Sequence, residues 1–295
     1  MPDEPTLRRV LTNGITLSVA EAGPSGGPAV ILLHGFPEPW SSWRAQIGPL
    51  AAAGYRVLAP DQRGYGLSDK PRGIASYRLG ELVADVLGLI DDLGVAKASV
   101  VGHDWGGIVA WAAIARHPER FDRAILLNAP HPSAMIREVR GNPRQLLKSW
   151  YTLAFQVPKV PEALLHRRDF RALERGLISS SRPGTFAPEV IAEYKRAWAE
   201  PGALTSMIHW YRAAFRDRAK SPDEALIRVP TLILWGAKDA FLGPGIARSS
   251  YALCRSARIE WFDEATHWIH HEEPERVDRL LLEFLAEGRV APKPA

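Results

Sequence analysis

One stretch near the middle of the chain restricts the fold more than any other, and it reads ASVVGHDWGGIVAWAAIARH over residues 98–117. Its apolar run, which ends at Val101, has too few polar positions for a solvent-facing side, and this predicts a buried strand. Residues 107–116 are alanine-rich and amphipathic, which predicts a helix. The five residues between them begin and end with glycine, so the chain can turn sharply there. Strand, corner and helix together are the context of a nucleophile elbow.

The middle residue of this corner is Asp104 rather than serine. A serine at an elbow attacks acyl carbons, whereas a carboxylate would form an unproductive anhydride with them. Against a saturated, electrophilic carbon, a carboxylate instead forms an alkyl ester that water can later cleave. The alternative interpretation is a plain strand-to-helix turn in which Asp104 only caps the helix.

The rest of the chain alternates strands and helices on both sides of a long helical segment. The sequence predicts a hairpin over 10–22, strands at 29–33, 55–59, 123–127, 231–236 and 258–262, and helices at 40–53, 77–93, 245–254 and 274–287. Residues 132–225 contain no convincing strand. This order predicts a mostly parallel α/β sheet flanked by helices, with a core of residues 1–131 and 226–295 and an inserted helical cap of residues 132–225.

Composition narrows the class of protein and its partners. The chain has 295 residues and a net charge of +4, and the basic residues of the cap are interspersed with acidic ones, which favours a solvated surface over a nucleic-acid face. The single cysteine, Cys254, excludes an intrachain disulfide and fits a reducing compartment. No signal region and no 18-residue apolar run is visible. We therefore expect a cytoplasmic protein with no membrane or nucleic-acid partner, either a monomer or a homodimer.

Two residues downstream of the cap complete a candidate catalytic set. Asp239 follows the strand TLILWG, and His267 follows the strand RIEWF. Together with Asp104 they occur in the order nucleophile, acid, histidine, which is the order found in elbow hydrolases. Each lies just past a strand, where a parallel sheet delivers functional side chains.

A metal site is the competing interpretation of the histidine-rich segment. His267 and His271 could share a helical face, but no third ligand stands at a zinc-like spacing. We therefore predict no metal and no other cofactor. His270 and His271 are expected to be solvated at the start of a helix.

Further positions could assist a nucleophile at residue 104. The segment His34-Gly35-Phe36-Pro37 follows a strand next to the elbow, so the backbone N–H groups of Phe36 and Trp105 could form an oxyanion hole. In the cap, Tyr151 and Tyr211 lie in helical patches, and a tyrosine hydroxyl can donate a proton to a departing alkoxide. From spacing alone, however, ordinary packing is the favoured role of these tyrosines.

Taken together, these motifs make the sequence resemble a known family, the epoxide hydrolases of the α/β-hydrolase fold. The resemblance rests on HGFPEPWSSWR (34–44), DQRGYGLSDKP (61–71), GHDWGG (102–107), WYTLAFQVP (150–158), HWYR (209–212), GAKD (236–239) and THW (266–268). It implies that Asp104 is the nucleophile and that Asp239 and His267 form a charge pair. It also implies that Tyr151 and Tyr211 polarise the epoxide oxygen. Thr266 departs from the family, which usually has glycine before the histidine.

The resemblance also implies a substrate, an apolar or aromatic epoxide that is converted to a vicinal diol. The pocket is expected to include Phe36, Trp105, Trp150, Phe155 and Trp268. A haloalkane or haloacid dehalogenase that uses the same aspartate is the first alternative, although haloalkane dehalogenases typically have asparagine where Phe36 stands and lack the tyrosine pair. A non-catalytic ligand receptor on the same fold is the second.

Overall fold

A twisted sheet forms the centre of the computed structural model, which describes residues 4–217 and 226–287. Within those residues the sheet has eight strands in the order β1-β2-β4-β3-β5-β6-β7-β8. The strands are β1 (Thr6–Thr12), β2 (Ile15–Ala22), β3 (Ala29–Leu33), β4 (Arg56–Pro60), β5 (Ala98–His103), β6 (Phe121–Leu127), β7 (Thr231–Gly236) and β8 (Ala257–Phe262). The pairs β1–β2 and β2–β4 are antiparallel, and the other neighbouring pairs are parallel.

Helices cover both faces of this sheet. In the described residues they are α1 (Arg44–Ala52), α2 (Leu79–Asp92), α3 (Asp104–Arg116), α4 (Pro132–Gly141), α5 (Pro143–Lys148), α6 (Trp150–Ala154), α7 (Val160–Ser180), α8 (Pro188–Ala199), α9 (Ala203–Arg216), α10 (Pro244–Tyr251), α11 (Ile269–Glu272) and α12 (Pro274–Ala286). Helix α7 is interrupted at residues 167–170, where three consecutive residues take left-handed backbone angles. None of the helices in the described residues is long and apolar enough to cross a membrane.

The two faces of the central strands bury alternate side chains, because successive residues of a strand point to opposite sides. Ile31 and Leu33 of β3 pack on the face that α2 and α3 cover. Val30 and Leu32 of the same strand pack on the face that α1 and α12 cover. All five residues of β3 are buried, as expected for a parallel strand with helices on both sides.

The predicted fold class is confirmed, with one informative difference at the elbow. Strand β5 continues to His103 and α3 begins at Asp104, so the five-residue corner expected from the sequence is only a change of direction between adjacent residues. Gly102 and His103 stay in the strand because they pair with Leu126 and Leu127 of β6. Backbone pairing, which the side-chain pattern does not reveal, sets the end of the strand.

Helices α4 to α9 stand between β6 and β7, and we call them the helical insert. No strand occurs in its described residues, 132–217, as predicted. Residues 218–225, the last of the predicted cap, lie outside the described residues. The division into core and cap domains therefore stays a prediction, while the chain order that inserts helices between two strands of one sheet is observed.

Candidate active site

Asp104 stands at the junction of β5 and α3 with a φ of 47°, in the left-handed region that residues other than glycine rarely adopt. Two positions near Asp104 require glycine, because other parts of the protein approach them too closely to leave room for a side chain. A Cβ at Gly106 would overlap the carbonyl oxygen of Leu33, and a Cβ at Gly35 would overlap the Asp104 side chain. The small residues therefore let the turn approach β3 closely enough to hold Asp104 in this conformation.

His267 links the carboxylates of Asp104 and Asp239. Its Nδ1–H donates to Asp239 Oδ2 at 2.7 Å, and its Nε2 lies 3.6 Å from Asp104 Oδ2. His267 and Asp239 are almost fully buried, with 2% and 4% of their surfaces exposed. The structure thus brings together the three residues that chain order singled out. The hydrogen bond at Nδ1 leaves Nε2 facing Asp104.

Asp239 is held by a dense set of donors. The backbone N–H groups of Phe241 and Leu242 donate to its Oδ1 at 2.7 and 2.9 Å, and Asn128 Nδ2 donates to its Oδ2 at 2.7 Å. Asn128 in turn accepts from the N–H of Gly236 at 3.0 Å. Sequence analysis did not select Asn128. Its position directly after β6, at the edge where Asp239 also lies, is the signal that would have found it.

The charges of Asp104, Asp239 and His267 stabilise one another. Burial alone would raise the pKa of Asp104, but the hydrogen bond and positive charge of His267 outweigh it, and the pKa lies below its usual value. The pKa of Asp239 is lowered in the same way. Burial opposes charge on His267, yet the two carboxylates raise its pKa to about 10. At neutral pH the resting site therefore holds an imidazolium between two carboxylates.

We expect this imidazolium to make stability fall at alkaline pH. The pKa of His267 is about 10 in the folded protein against an ordinary value of 6.5, so its contribution is complete below pH 6.5 and is lost as the pH approaches 10. The loss should be at most about 1.4 kcal/mol per pH unit. Urea unfolding at pH 7, 8.5 and 10 measures it, and His267→Gln should lack this component. Equal pH dependence in both proteins would contradict the assignment.

The backbone around Asp104 supplies hydrogen-bond donors to its carboxylate. The N–H of Phe36 donates to Asp104 Oδ1 at 2.9 Å. Trp105 is the second residue of α3 and lies in its first turn, where backbone N–H groups have no partner within the helix. These are the two positions that the sequence proposed for an oxyanion hole. The observed bond to Phe36 fits that role, because the same N–H can follow the oxygen when charge builds up on it.

A cavity of about 340 Å³ opens over Asp104. Its wall includes Tyr151 of α6 and Tyr211 of α9, and the centres of these two rings are 6.0 Å apart. Trp105 also lines it and packs edge-to-face on Tyr211 at 5.0 Å. Most of the remaining wall is apolar: Leu79, Leu82, Ile108, Pro130, Pro132, Met135, Ile136, Ala214, Phe215 and Leu242. Both tyrosines named by the sequence therefore reach the cavity that contains Asp104.

The two phenols remain protonated at any ordinary pH. Burial raises the pKa of Tyr151, and the negative charges of Asp104 and Asp239 raise it further. Burial also raises the pKa of Tyr211, and its electrostatic interactions with Tyr151 and Asp104 raise it further. A hydrogen bond from the Trp105 side chain lowers this pKa but does not cancel the rise. Each phenol is therefore available as an O–H donor rather than as a phenolate.

Of the five expected pocket residues, Trp105 lines this cavity and the other four do not. Trp150 is 67% exposed, because the turn of α6 that directs Tyr151 inward points its neighbour to the outside. Trp268 is buried behind His267, and its Nε1–H donates to Ser180 Oγ at 2.9 Å. Phe155 lies one layer deeper, packed against Tyr211 at 4.9 Å. Phe36 packs edge-to-face on Tyr211 at 5.3 Å and is not part of the cavity wall. Phe36, Trp150, Phe155 and Trp268 are therefore corrections to the sequence-based pocket.

His270 and His271 are not solvated, contrary to expectation. Both surround the buried carboxylate of Glu38, and His271 Nε2 lies 2.7 Å from Glu38 Oε1. His103 Nδ1 lies 3.1 Å from Glu38 Oε2, and its Nε2 lies 2.9 Å from the carbonyl oxygen of His267. The sequence missed Glu38 because it stands far upstream, directly after Pro37.

Among the described residues, one group has three possible metal ligands close together. It consists of Glu38, His270 and His271, whose ligand atoms lie within 4.8 Å of one another. Tyr194 donates its hydroxyl hydrogen to Glu38 Oε1 at 3.1 Å, so this carboxylate already accepts hydrogen bonds from within the protein. His267 belongs to a different set, because it contacts Asp104 and Asp239.

Comparisons with known proteins agree with this geometry. A family model described as the alpha/beta hydrolase fold matches residues 28–274. The AB hydrolase superfamily protein YfhM of Bacillus subtilis is 48% identical over 94% of this chain and 96% of its own. Epoxide hydrolase A of Mycobacterium tuberculosis is 36% identical over 95% of this chain and 97% of its own. The crystal structure of an epoxide hydrolase variant from Bacillus megaterium, complexed with its naphthyloxy-propane-diol product, superposes with a TM-score of 0.87 at 31% identity, covering 95% of this chain and 100% of that one.

These similarities extend over most of the chain. The family model spans the strands from β3 to β8, whose ends carry Asp104, Asp239 and His267. The resemblance inferred from the short motifs is thereby confirmed. The chain belongs to the α/β-hydrolase fold family, in the branch that contains these epoxide hydrolases.

Proposed function

We propose that this protein is an epoxide hydrolase, which converts an epoxide to a vicinal diol through an alkyl ester on Asp104. One observation carries the proposal: a carboxylate at a nucleophile elbow and the phenols of Tyr151 and Tyr211 line the same cavity. A carboxylate that attacks saturated carbon needs no deprotonation. An epoxide oxygen, however, leaves as a strongly basic alkoxide and requires O–H donors nearby.

The first step in this proposal opens the epoxide ring. One oxygen of Asp104 attacks a ring carbon, the bond from that carbon to the epoxide oxygen breaks, and an ester forms. Tyr151 or Tyr211 transfers its phenolic proton to the departing oxygen and becomes a phenolate. The apolar wall keeps water away from the carboxylate until this bond has formed, which favours attack by Asp104 over direct hydrolysis.

The second step hydrolyses the ester. Once Asp104 is esterified it has no negative charge, so one of the two carboxylates that raise the pKa of His267 is lost. The imidazolium returns its proton to the phenolate, and the neutral ring removes a proton from water. Hydroxide then attacks the ester carbonyl, and the N–H groups of Phe36 and Trp105 stabilise the oxyanion. The bond from the carbonyl carbon to the diol oxygen then breaks, and that oxygen takes the remaining proton of the attacking water, so that release of the diol leaves the Asp104 carboxylate and protonated His267.

The lining of the cavity supports a substrate with apolar or aromatic groups. Trp105, Tyr151 and Tyr211 present ring edges and faces, and Leu79 and Leu82 of α2 and Ile108 of α3 extend the wall. The product in the Bacillus megaterium structure carries a naphthyloxy group on the propane chain that bears its diol. A small epoxide with an aromatic substituent is therefore the class of substrate that we propose.

The position of the Trp105 indole argues against the dehalogenase alternative. A halide leaving group would need weak N–H donors. Here the Trp105 side chain donates a hydrogen bond to the Tyr211 hydroxyl, and the N–H of Phe36 donates to Asp104 itself. Both candidate donors therefore already have acceptors, whereas the two phenols are suited to an alkoxide.

A single turnover in ¹⁸O-labelled water tests the ester on Asp104. With enzyme in excess over styrene oxide, the first diol should contain only unlabelled oxygen, because its new oxygen comes from the carboxylate. Label should then appear in Asp104 and, in later turnovers, in the diol. Mass spectrometry of the diol and of the peptide that contains Asp104 measures both.

Label in the first diol would instead indicate direct attack by water. Release of halide from 1-haloalkanes at a higher rate than the opening of any epoxide would favour the dehalogenase. Failure of every epoxide in a panel of styrene-type, aliphatic and fatty-acid compounds to turn over more than once would favour the non-catalytic receptor.

A further inference from the structure

A row of apolar side chains points to solvent along the outside of the helical insert. It runs through α5, α6 and the start of α7, and we call it the outer stripe. Its members are Leu146, Leu147, Trp150, Leu153, Val157, Val160 and Leu164, each between 46% and 72% exposed. Leu147 and Trp150 are the most exposed of them, at 72% and 67%. So many exposed apolar side chains within 19 residues of the chain indicate an interaction site.

The outer stripe is built from three successive helices and the segment that joins the last two. Within α6, Trp150 and Leu153 are three residues apart, and within α7, Val160 and Leu164 are four apart, so each pair shares one face of its helix, a pattern that normally packs against a core. The inward side of α5 is instead polar and is bonded to the loop that follows Asp239. Gln145 donates to the carbonyl oxygen of Phe241 at 2.8 Å, and Lys148 donates to that of Asp239 at 3.0 Å. These bonds fix the orientation of α5 and turn its apolar side outward.

Positive charge accompanies the stripe. Residues 136–171 contain eight lysines and arginines but only three acidic residues. Glu162 pairs with Arg212 and Asp169 with Lys195, so two of the three acids are neutralised by residues from elsewhere in the chain. Arg140, Arg144, Lys159, Arg167, Arg168 and Arg171 are exposed. The surface around the stripe is therefore strongly positive.

We infer that the outer stripe docks this protein on an anionic lipid surface. Tryptophan and leucine between basic side chains is the composition of helices that lie in the membrane interface. A second copy of this chain fits less well, because a two-fold contact would bring the same arginines against one another. A nucleic acid would satisfy the charges but not the apolar side chains. The sequence alone predicted no membrane partner, because it does not reveal that this face points outward.

The docking surface lies directly behind the candidate active site. Tyr151 and Thr152 line the cavity, while Trp150 and Leu153 of the same short helix belong to the outer stripe. Only the width of one helix, about 10 Å, separates the two surfaces. Docking would thus hold the cavity close to the phase in which apolar molecules dissolve.

Vesicle flotation of the full-length protein, without any epoxide, tests the inference. The protein should float with vesicles of phosphatidylcholine and phosphatidylglycerol, bind pure phosphatidylcholine far less, and dissociate as salt screens the charges. Leu147→Ser combined with Leu153→Ser should weaken partitioning about tenfold or more. Each of Arg140→Gln and Arg144→Gln should weaken it about fivefold. Leu11→Ser is the matched control, because Leu11 is 77% exposed on β1 and should not affect binding.

Two further measurements check that the variants remain folded and that Trp150 contacts the lipid. The midpoints of thermal unfolding should not change in these variants, since the replaced side chains are already exposed. Brominated lipids should quench the wild-type fluorescence more than that of Trp150→Phe. Absence of binding to anionic vesicles at low salt would overturn the inference. So would a dimer, detected by light scattering, that the stripe substitutions convert to a monomer, because the stripe would then bind a second copy.

Discussion

Replacing His267 by glutamine is expected to halt the reaction after the ester has formed. Asp104 attacks as a carboxylate and needs no base, so ring opening should continue, whereas water activation requires the imidazole Nε2 that faces Asp104 at 3.6 Å. Loss of a general base typically costs about 10²–10⁴-fold, so steady-state turnover should fall by that factor. Intact-mass spectrometry should show enzyme whose mass has increased by the mass of one substrate molecule.

Two further variants make this result specific. Asp239→Asn should impair the same step, because Asp239 Oδ2 accepts from His267 Nδ1 at 2.7 Å and orients the ring. Asp104→Ala, the matched control, should remain at the mass of the free enzyme. If His267→Gln also showed only free enzyme while the substrate remained unconsumed, His267 would be needed for ring opening, and the proposed division of the two steps would be wrong.

Removing the two phenol hydroxyls should produce the other large effect, at the opposite step. Tyr151→Phe or Tyr211→Phe should slow ester formation by about 10²–10⁴-fold, the usual contribution of a general acid, and the double variant should nearly abolish it. The effects of the single substitutions should not add, because both hydroxyls serve one oxygen. Stopped-flow measurement of the alkylation phase separates this loss from substrate binding, which should be partly retained.

Tyr77→Phe provides the matched comparison within the same cavity. Tyr77 also lines the wall, but its hydroxyl is already engaged with the carbonyl oxygen of Pro71 and with Ser206, each at 2.8 Å. Its loss should slow alkylation far less than loss of either donor. Equal effects of all three substitutions would mean that Tyr151 and Tyr211 only pack. A rate of halide release that the Tyr151 and Tyr211 variants left untouched would favour the dehalogenase.

The sequence predicted the sheet well, because the apolar runs of the strands and the residues that directly follow them are local features of the chain. The runs predicted for β3 and β7 match the observed strands residue for residue, since parallel strands buried on both faces are almost wholly apolar. Asp239 and His267 could be placed near Asp104 for a similar reason: all three follow strands, and the carboxyl ends of parallel strands share one edge. Their chain positions were enough to predict their proximity.

Contacts between distant segments were the part that sequence could not predict. His270 and His271 were expected in solvent because nothing near them in the chain announces Glu38, whose carboxylate they enclose. Trp150 was expected in the pocket because its neighbour in the chain, Tyr151, was expected there. Neighbouring residues of a helix point about 100° apart, however, and contacts with distant segments, such as those of the Tyr151 ring with Tyr211 and Phe241, show which of them faces inward.

The candidate catalytic groups belong to two different parts of the fold, so the two steps of the proposed reaction depend on different structural elements. Asp104, Asp239 and His267 are fixed at the edge of the sheet, whereas Tyr151 and Tyr211 belong to the helical insert. Under the proposed mechanism, ring opening needs both elements together, but once the imidazolium has returned its proton to the phenolate, cleavage of the ester needs only the sheet edge. A displacement of the insert by even a few ångströms would therefore arrest the first half-reaction and spare the second. An enzyme caught in that arrangement would finish the molecule already attached to it but could not begin another.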